Sequence, residues 1–374
     1  KGIIMITKII ANYLPQFHEI PENNCFWGKG YTDWVAVKKS VPLFEGHNQP
    51  RVPENLFYYS LNSEENIQWQ AKLAKENGIY GFGIYHYWFS SELHLLEKPS
   101  EIILESDIDI NFMFIWDNGS WKRTWSNVKR GNDWAPAFDE NIKDVNRNRT
   151  DDGMLAELKY GRKPDWKIHF DYLLKFFKDN RYIKKDNCPV FGFFQPDNDY
   201  ETVLNMCEYW KMLAKENGFD GMFFISKNNY QNANLDYKFR YEPLSVNNKK
   251  ELWISRLQNA KNKHFPVPRI YDYDLVWKRI INNAQNTRDQ KQFFGGFVGF
   301  DDSPRRGRKA KIILGQTPDK FEKYLSALYK ISNLQEKEFL FLTAWNEWGE
   351  GAYLEPDTID GDKYLKAIKR IVEK

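Results

Sequence analysis

Two glutamates near the end of the chain have a spacing suited to acid–base chemistry on a glycosidic bond. Glu347 and Glu350 stand three positions apart, and a local helical turn would place their Cβ atoms about 5–6 Å from each other. In such a pair, one carboxylic acid protonates the leaving oxygen while the second carboxylate acts as nucleophile or base. The alternative is two surface glutamates that open a helix and interact favourably with its dipole. Because tryptophans and glycines surround the pair after the last predicted strand, we favour the catalytic interpretation.

Aromatic side chains make up 17% of the sequence, and several lie where a sugar-binding surface is expected. Trp116, Trp121 and Trp125 follow the third predicted strand, together with Asn118 and Arg123. Indole rings offer flat faces that stack on sugars, and their N–H groups donate hydrogen bonds. We favour a sugar-binding platform in this loop over an aromatic lid that packs only on itself.

The segment Tyr85-His86-Tyr87-Trp88 ends the second predicted strand, and all four residues are candidates for substrate binding. A tyrosine or histidine here would bind a hydroxyl or assist proton transfer, and a tryptophan would stack on a sugar. Because side chains alternate along a strand, some of the four must be ordinary packing residues, and core and site are equally good interpretations. No metal-binding spacing accompanies His86, so we expect no metal centre.

The ends of the sixth and seventh predicted strands carry further charged candidates. Tyr241 and Glu242 close the sixth strand, and Glu242 offers a carboxylate there, with helix capping or an ion pair as the alternative. Asp301, after the seventh strand, would pair with arginines or hold sugar hydroxyls. Arg305 and Arg306 follow in a basic run, and arginine forks match the phosphate of a donor, although a solvated loop is the alternative.

Short runs of β-branched and aromatic residues alternate with longer segments of helical period, which is typical of a parallel sheet with crossover helices. Eight strands are predicted: Ile9–Leu14, Gly81–Trp88, Phe112–Trp116, Val190–Phe194, Gly221–Ile225, Lys238–Tyr241, Phe294–Phe300 and Phe339–Trp345. Helices are predicted from the Ser63 cap to Asn77 and over Ile168–Lys178, Thr202–Glu216, Leu275–Asn283, Lys320–Ile331 and Lys363–Lys374. This order favours the α/β class and a single (β/α)8 barrel over an open doubly wound sheet. No Gly-rich turn follows the first strand, so we expect no dinucleotide and no other cofactor.

Two connections are too long for ordinary loops, one from the first strand to the Ser63 helix and one from Trp116 to Ile168. Both follow a strand, so we expect both to lie over the C-terminal face of the barrel, where active sites are built. The first connection contains four residues expected to bind substrate: Trp27, Tyr31, Asp33 and Trp34.

Charge and cysteine content exclude several classes of protein. The 54 basic and 51 acidic side chains leave a net charge of +3, which gives no reason to expect nucleic acid or an anionic membrane as a partner. Cys25, Cys188 and Cys207 are far apart and odd in number, which disfavours disulfides. No apolar run reaches the ~18 residues of a membrane helix. We expect Met5 to be the native start of a cytoplasmic protein, or an exported protein if a leader was removed, and residues 1–374 to form one catalytic domain.

Several long motifs resemble the WbsX-like family, whose members are associated with bacterial O-antigen and capsule gene clusters and are usually described as glycosyltransferases. The motifs occur in the family's order across almost the whole chain: Tyr13–His18, Trp27–Trp34, Gly81–Phe89, Ser303–Arg306 and Ala344–Pro356. The family's domain is similar to the (β/α) barrel of glycoside hydrolase family 99, the endo-α-mannosidases. The resemblance implies an enzyme that acts on glycosidic bonds of bacterial surface polysaccharide, with Tyr13 among its substrate-binding residues.

The resemblance also implies roles for individual residues. In the hydrolase family, the first glutamate of a Glu-Trp-x-Glu segment is thought to deprotonate the sugar's own 2-hydroxyl, which gives an anhydro-sugar intermediate, and the second acts as acid and base. These roles would fall to Glu347 and Glu350, and Asn346 would hold a sugar hydroxyl. The sequence departs from the family at Asp117–Gly119, where members often have Ala-Asn-Glu after the tryptophan, and at Phe300, where they commonly have tryptophan. These departures leave the substrate open.

Three functions therefore stay open, each with an oligosaccharide or polysaccharide as ligand. A glycosyltransferase with a nucleotide-sugar donor is favoured by the expected intracellular start and by the basic loop, although no nucleotide-binding fingerprint is recognised. A retaining endo-glycosidase is favoured by the carboxylate pair and the barrel. A carbohydrate-binding barrel without catalysis is the third.

Overall fold

The structure is a computed structural model of the chain, and it describes residues 6–122, 154–227, 235–244 and 267–374. Met5, Arg123 and Trp125, which the sequence analysis singles out, lie outside the described residues. Within the described part of the chain, no helix has both the length and the apolar character needed to cross a membrane.

Eight parallel strands form a closed barrel, as predicted. In chain order they are β1 (Lys8–Tyr13), β2 (Gly81–Ser90), β3 (Asn111–Trp116), β4 (Cys188–Phe193), β5 (Phe223–Lys227), β6 (Tyr237–Phe239), β7 (Gln292–Phe297) and β8 (Phe339–Thr343). Each strand pairs with the next one in this order, and β8 closes the ring on β1, with Leu340 opposite Ile9. The chain is therefore a (β/α)8 barrel of the α/β class.

Of the barrel strands, only β3 ends at the predicted residue; the other ends differ by one to three residues, and for β2 and β7 a neighbouring strand explains the difference. β2 continues to Ser90 because a short strand, Leu93–Leu95, folds back and pairs with it in antiparallel orientation. β7 ends earlier than predicted, at Phe297, because Phe300–Asp301 leaves the barrel and pairs with Lys311–Leu314 in a small separate sheet. The chain thus turns away from the barrel axis before it reaches the basic loop.

Helices follow the strands around the barrel. The α-helices of the described residues are α1 (Pro21–Trp27), α2 (Asp33–Lys39), α3 (Glu64–Glu76), α4 (Lys98–Glu105), α5 (Lys163–Phe177), α6 (Tyr200–Glu216), α7 (Tyr273–Asn286), α8 (Ser303–Arg306), α9 (Pro318–Leu334) and α10 (Lys363–Val372). Short 3-10 turns lie at Glu54–Leu56, Pro196–Asp199, Gly307–Lys309 and Trp348–Glu350. The side chain of Ser63 accepts a hydrogen bond from the Asn66 amide and caps α3, as predicted.

Side chains alternate between the inside and the outside of the barrel along each strand. Inside, Ile115 fills the space beside two glycines, since Cβ atoms at Gly83 and Gly192 would lie 2.9 Å and 3.2 Å from its side chain. The rings of Phe341 and Phe239 pack together with their centroids 5.0 Å apart. The barrel is thus a packed core, and the chemistry must take place at one of its ends.

After β8 the chain forms the hairpin that carries the two candidate catalytic glutamates. Asn346–Glu347 pairs in antiparallel orientation with Ala352–Tyr353, and the 3-10 turn Trp348–Glu350 joins the two strands. Gly351 closes the turn with a φ of 59°, a left-handed conformation that glycine adopts without a steric cost. The close spacing of the two glutamates is therefore realised in a 3-10 turn rather than in an α-helix.

Candidate functional site

Arg305 joins three carboxylates at the C-terminal mouth of the barrel. Its guanidinium donates hydrogen bonds to Asp33 Oδ1 from Nε, at 3.2 Å, and from Nη2, at 2.9 Å. Nη2 also lies 3.3 Å from Glu347 Oε2, and Nη1 lies 2.9 Å from Glu350 Oε1. Arg305 and Asp33 are buried, whereas 22% of the Glu350 side chain is exposed to solvent. These four residues are called the carboxylate cluster below.

Three separate loops bring the carboxylate cluster together. Asp33 is the first residue of α2, in the long connection after β1, Arg305 lies in α8 after β7, and the hairpin after β8 supplies the glutamates. Asp33 Oδ2 also accepts a hydrogen bond from the Gly349 amide, at 3.0 Å. A Cβ atom at Gly349 would lie 2.7 Å from Arg305 Nε and 2.8 Å from Asp33 Oδ2. Only glycine therefore lets the turn approach the ion pair this closely.

The three carboxylates share one arginine in a buried site, so their charges are not balanced. Burial, together with the negative charge of Glu350, raises the pKa of Glu347 to about 8, against the opposing effect of Arg305. Asp33 adds to this rise, and a hydrogen bond from Tyr85 opposes it. Near neutral pH the Glu347 carboxyl therefore holds a proton in the free protein.

Three aromatic rings line the barrel side of the cluster. The hydroxyl oxygens of Tyr85 and Tyr241 lie 3.0 Å apart in a hydrogen bond. The ring of Phe194, just after β4, lies 5.2 Å from each of the two tyrosine rings. These aromatic faces and hydroxyls are suited to stacking on a sugar ring and binding its hydroxyls beside the carboxylates.

Asp117 and Lys227 also lie at the mouth, although neither was predicted from the sequence to be a site residue. Burial raises the pKa of Asp117 to about 6, against the positive charge of Lys227. Tyr87 lies near two carboxylates. Burial raises the pKa of its hydroxyl, and the nearby charges of Asp117 and Glu347 raise it further. Both residues could have been predicted from strand alternation. Asp117 lies two positions after Ile115 and Lys227 two positions after Ile225, and both isoleucines point into the barrel.

Trp348, which lies between the two glutamates in sequence, is fixed by Glu355. Its Nε1 donates a hydrogen bond to Glu355 Oε2 at 2.6 Å, and its ring stacks on Tyr353 with centroids 3.7 Å apart. Glu355 also accepts hydrogen bonds from the Tyr59 hydroxyl, at 2.8 Å, and from Gln70 Nε2, at 2.7 Å. Burial raises the pKa of Glu355 to about 7 despite these hydrogen bonds. Glu355 could not be assigned a role from its sequence, because only its contacts in three dimensions distinguish it from a surface glutamate.

Tyr13, Trp34 and Asn346 brace the loops around the hairpin. The Tyr13 hydroxyl donates a hydrogen bond at 2.7 Å to the buried glutamine of α3. Trp34 Nε1 donates to the backbone carbonyl of Tyr59 at 2.8 Å. Asn346 binds the backbone of Leu14 with both ends of its amide, at 2.8 Å and 3.0 Å. The polar groups of these three predicted site residues therefore hold the fold together.

His86, Trp88 and Trp116 point away from the barrel interior and pack towards α5. The Nε2 atoms of His86 and His169 lie 2.8 Å apart, and the Trp88 ring stacks on His169 with centroids 4.2 Å apart. Trp116 Nε1 donates a hydrogen bond to the backbone carbonyl of Trp88 at 2.9 Å. Because the two tyrosines of this segment face inward, strand alternation turns His86 and Trp88 outward. The structure does not bring these three residues to the carboxylate cluster.

Four predicted residues from the long loops lie around the mouth: Trp27, Tyr31, Asn118 and Trp121. The Trp121 ring lies 5.3 Å from the ring of Tyr87, so it contacts a residue of the mouth. Asn118 accepts a hydrogen bond at 2.7 Å from a backbone amide just after β4 and so braces that loop. Trp27 and Tyr31 pack together with centroids 5.7 Å apart. Burial and the charge of Asp33 raise the pKa of the Tyr31 hydroxyl, which places this residue beside the cluster.

Asp301 and Glu242, the other predicted carboxylates, are both buried, and Asp301 lies against the end of the hairpin turn, since a Cβ atom at Gly351 would be 3.0 Å from its Cβ. Asp301 Oδ2 lies 2.9 Å from His47 Nε2 and accepts a hydrogen bond from Gln49 Nε2 at 2.7 Å. These contacts hold the pKa of Asp301 below its usual value in spite of its burial. Glu242 is 2% exposed and follows β6. Asp301 thus serves to anchor the loop that contains His47.

The basic run differs from the phosphate site that its sequence suggests. The Arg305 guanidinium is directed at three carboxylates, and Arg306 Nε lies 3.0 Å from Asp302 Oδ2. Both arginines that were expected to meet a donor phosphate therefore pair with acidic side chains. For the same reason, Arg305 can hold the two glutamates at a fixed separation while they exchange protons with a ligand.

Almost the whole chain matches the model of one protein family, described as Glycosyltransferase WbsX, over residues 9–368. Among curated proteins, it is 28% identical over 373 residues to the uncharacterized protein WxcX of Xanthomonas campestris pv. campestris, in strains B100 and ATCC 33913. This alignment covers 97% of the chain and 49% of each relative. The chain thus spans about half the length of the curated relatives it matches.

Solved structures share the barrel. The chain is similar to the GH99 endo-alpha-mannosidase from Bacteroides thetaiotaomicron, with a TM-score of 0.52 and 14% identity over 98% of this chain and 96% of that one. It is also similar to a glycoside hydrolase-like protein, with a TM-score of 0.55 and 14% identity over 99% and 95% of the two chains. At this identity the similarity shows the fold.

Proposed function

Because the chain belongs to the WbsX glycosyltransferase family, we propose that it is a carbohydrate-active enzyme that breaks a glycosidic bond in a bacterial surface polysaccharide and transfers the released glycosyl group to an acceptor hydroxyl. One observation carries the proposal: Glu347 and Glu350 meet on one buried arginine at the mouth of a (β/α)8 barrel. Glycosidic-bond cleavage uses such a carboxylate pair, and barrel enzymes place their reacting groups at this end.

The depths of the two glutamates support a division of roles between them. Glu347 is 4% exposed, so it would face the sugar ring and remove the proton of its 2-hydroxyl. That oxygen would then attack the anomeric carbon and form an anhydro-sugar. Glu350 is nearer to solvent, so it would protonate the departing glycosidic oxygen and later take the proton of the acceptor hydroxyl. As the acceptor oxygen bonds to the anomeric carbon, the bond from that carbon to the 2-oxygen would break, and Glu347 would return its proton to the 2-oxygen. Because burial raises the pKa of Glu347 to about 8, Glu347 would act as a base only after losing its proton, so we expect activity to rise as pH rises through this value.

The presence of an acid–base pair also bears on the glycosyl donor. A sugar alkoxide leaves readily only when an acid protonates its oxygen, whereas a nucleoside diphosphate leaves as a stable anion. A site built around Glu347 and Glu350 therefore fits a glycan as the donor better than a nucleotide sugar. The contacts of Arg305 point in the same direction, since its guanidinium already pairs with three carboxylates.

Hydrolysis, with water as the acceptor, is the second candidate function. The partial exposure of the Glu350 side chain, 22%, favours it, because water can approach the residue that would activate it. The same first step serves both reactions, and only the acceptor of the glycosyl group differs.

Mass spectrometry of glycans incubated with the protein tests the proposal. Wild type, Glu347→Gln and Glu350→Gln are compared on surface-polysaccharide oligosaccharides, with and without a panel of nucleotide sugars. Glu216→Gln, an exposed glutamate on α6, is the matched control. We expect products that are both shorter and longer than the substrate without added nucleotide sugar, and their loss in the two site variants only. Shortened products alone would establish hydrolysis. Extension that requires a nucleotide sugar, or no product while glycan still binds, would overturn the proposal.

A further inference from the structure

Lys227 places a second positive charge at the mouth of the barrel. It is the last residue of β5, and the alternation of that strand turns it inward, on the same side as Ile225. Its ammonium lies over the ring of Tyr241, 4.8 Å from the centroid, and 5.1 Å from the centroid of the Phe194 ring. Lys227 thus shares the aromatic wall that borders the carboxylate cluster.

The two cations of the mouth differ in how their charges are satisfied. Arg305 contacts three carboxylates. No carboxylate of the described residues forms an ion pair with Lys227. Asp117 and Glu350 are near enough to attract its charge, but burial outweighs them and lowers the pKa of the ammonium. Two aromatic faces stabilise the cation only in part.

A half-buried ammonium that contacts no carboxylate among the described residues binds an anion favourably, because part of the cost of removing its water has already been met in the free protein. The anion would lie next to Tyr241, whose hydroxyl is hydrogen-bonded to Tyr85 and has its pKa raised by burial and by the nearby charge of Glu347. A charged substituent held there belongs to the sugar at the reacting bond or to the sugar beside it.

We propose that Lys227 binds an anionic oxygen group, a carboxylate or a phosphate, carried by the substrate beside the Glu347–Glu350 pair. The inference rests on the proposed function for its position in a reaction, but the binding of the anion does not require turnover. Two sources share this chemistry, the carboxylate of an acidic sugar and the phosphate of a sugar phosphate, and the experiment separates them.

Equilibrium binding to the whole protein is the first measurement. Wild type, Lys227→Gln and Lys227→Arg are titrated with a methyl uronide, with the matching neutral methyl hexoside, and with a hexose 1-phosphate. Lys215→Gln, an exposed lysine on α6, is the control. Loss of one charge-assisted hydrogen bond is worth about 10- to 100-fold in affinity. We expect wild type, Lys227→Arg and Lys215→Gln to prefer one anionic ligand over the neutral sugar by this factor, and Lys227→Gln to have no preference.

Turnover is the second measurement. An acidic oligosaccharide is compared with the same oligosaccharide after its carboxylates have been reduced to alcohols. We expect kcat/KM of wild type to fall by about 10-fold or more on reduction, and that of Lys227→Gln to be equally low on both substrates.

The outcomes separate the two ideas. An anion preference in binding without turnover would contradict the proposed function and leave the Lys227 site standing. Equal binding of charged and neutral ligands by wild type, or an unchanged preference in Lys227→Gln, would overturn the Lys227 site whatever the activity. Thermal unfolding of Lys227→Gln monitors the fold, and we expect no loss of stability because the variant removes a poorly satisfied cation.

Discussion

Arg305 and Asp33 form a buried ion pair in which both Nε and Nη2 of the arginine donate to the same oxygen, Asp33 Oδ1, at 3.2 Å and 2.9 Å. The second oxygen of Asp33 accepts a hydrogen bond from the backbone of the hairpin, at Gly349. One carboxylate thus ties the loop after β7 to the hairpin after β8. Asp33 need not react with a substrate, because its contacts already explain how Arg305 reaches both glutamates.

Replacing Asp33 by asparagine tests this positioning role through the pH profile. The negative charge of Asp33 contributes to the raised pKa of Glu347, so Asp33→Asn should lower that pKa. If Glu347 acts as a base, activity rises as pH rises through its pKa. We therefore expect the acidic limb of kcat/KM to move to lower pH, with a fall of about 10-fold or more at the optimum. An acidic limb at the wild-type pH would show that Asp33 has no influence on Glu347.

The roles of the two glutamates can be separated by the leaving group of the substrate. A glycoside with an activated phenol as leaving group departs without protonation, so a variant that lacks only the general acid keeps its first step. We expect Glu350→Gln to lose about 100-fold or more on a sugar leaving group and about 10-fold or less on the activated one. Glu347→Gln should be inactive on both. Burst kinetics of phenol release measure this step, and the opposite pattern would exchange the two roles.

The strand and loop order of the fold could be predicted from sequence because it depends on local patterns. Eight short apolar runs separated by helical segments gave a parallel barrel, and two long connections indicated the face that carries the site. Glu347 and Glu350 were recognised for the same reason, since their spacing is local. The end of β7 was misplaced because Phe300–Asp301 pairs outside the barrel, a choice that depends on a distant strand.

Contacts between distant parts of the chain could not be predicted. Arg305 looks like a phosphate ligand in sequence, and only the fold shows that Asp33 and the hairpin surround it. Glu355 has no local signal at all. The outward position of His86, by contrast, follows from strand alternation once Tyr85 is known to face inward. The register of a strand therefore carries information on a site that residue type alone does not.

The buried histidines His86 and His169 should make the protein less stable in acid. Burial lowers the pKa of His86 to about 3 and that of His169 well below its usual value. Below about pH 6.5 the unfolded chain binds protons that these folded histidines exclude, so stability falls as pH drops. We expect His169→Gln to reduce this dependence by up to about 1.4 kcal/mol per pH unit. Chemical unfolding at pH 5 and pH 8 measures it, and parallel losses in wild type and variant would contradict the assignment.

Glu355 should make the protein less stable as pH rises, which is the opposite trend. Burial raises its folded-state pKa to about 7, so at intermediate pH the folded protein holds a proton that the unfolded chain has released. Stability is then present below the ordinary glutamate pKa and falls as pH rises through about 7, by up to about 3 kcal/mol. Glutamine at this position cannot ionise. The free energy of unfolding of Glu355→Gln, minus that of wild type, should therefore be larger at pH 8 than at pH 5. Because Glu355 also binds Trp348 Nε1, kcat should fall while KM changes little. The measurement is the free energy of unfolding of both proteins from pH 5 to pH 8. If the difference between them does not change with pH, Glu355 is ionised in the folded state throughout this range.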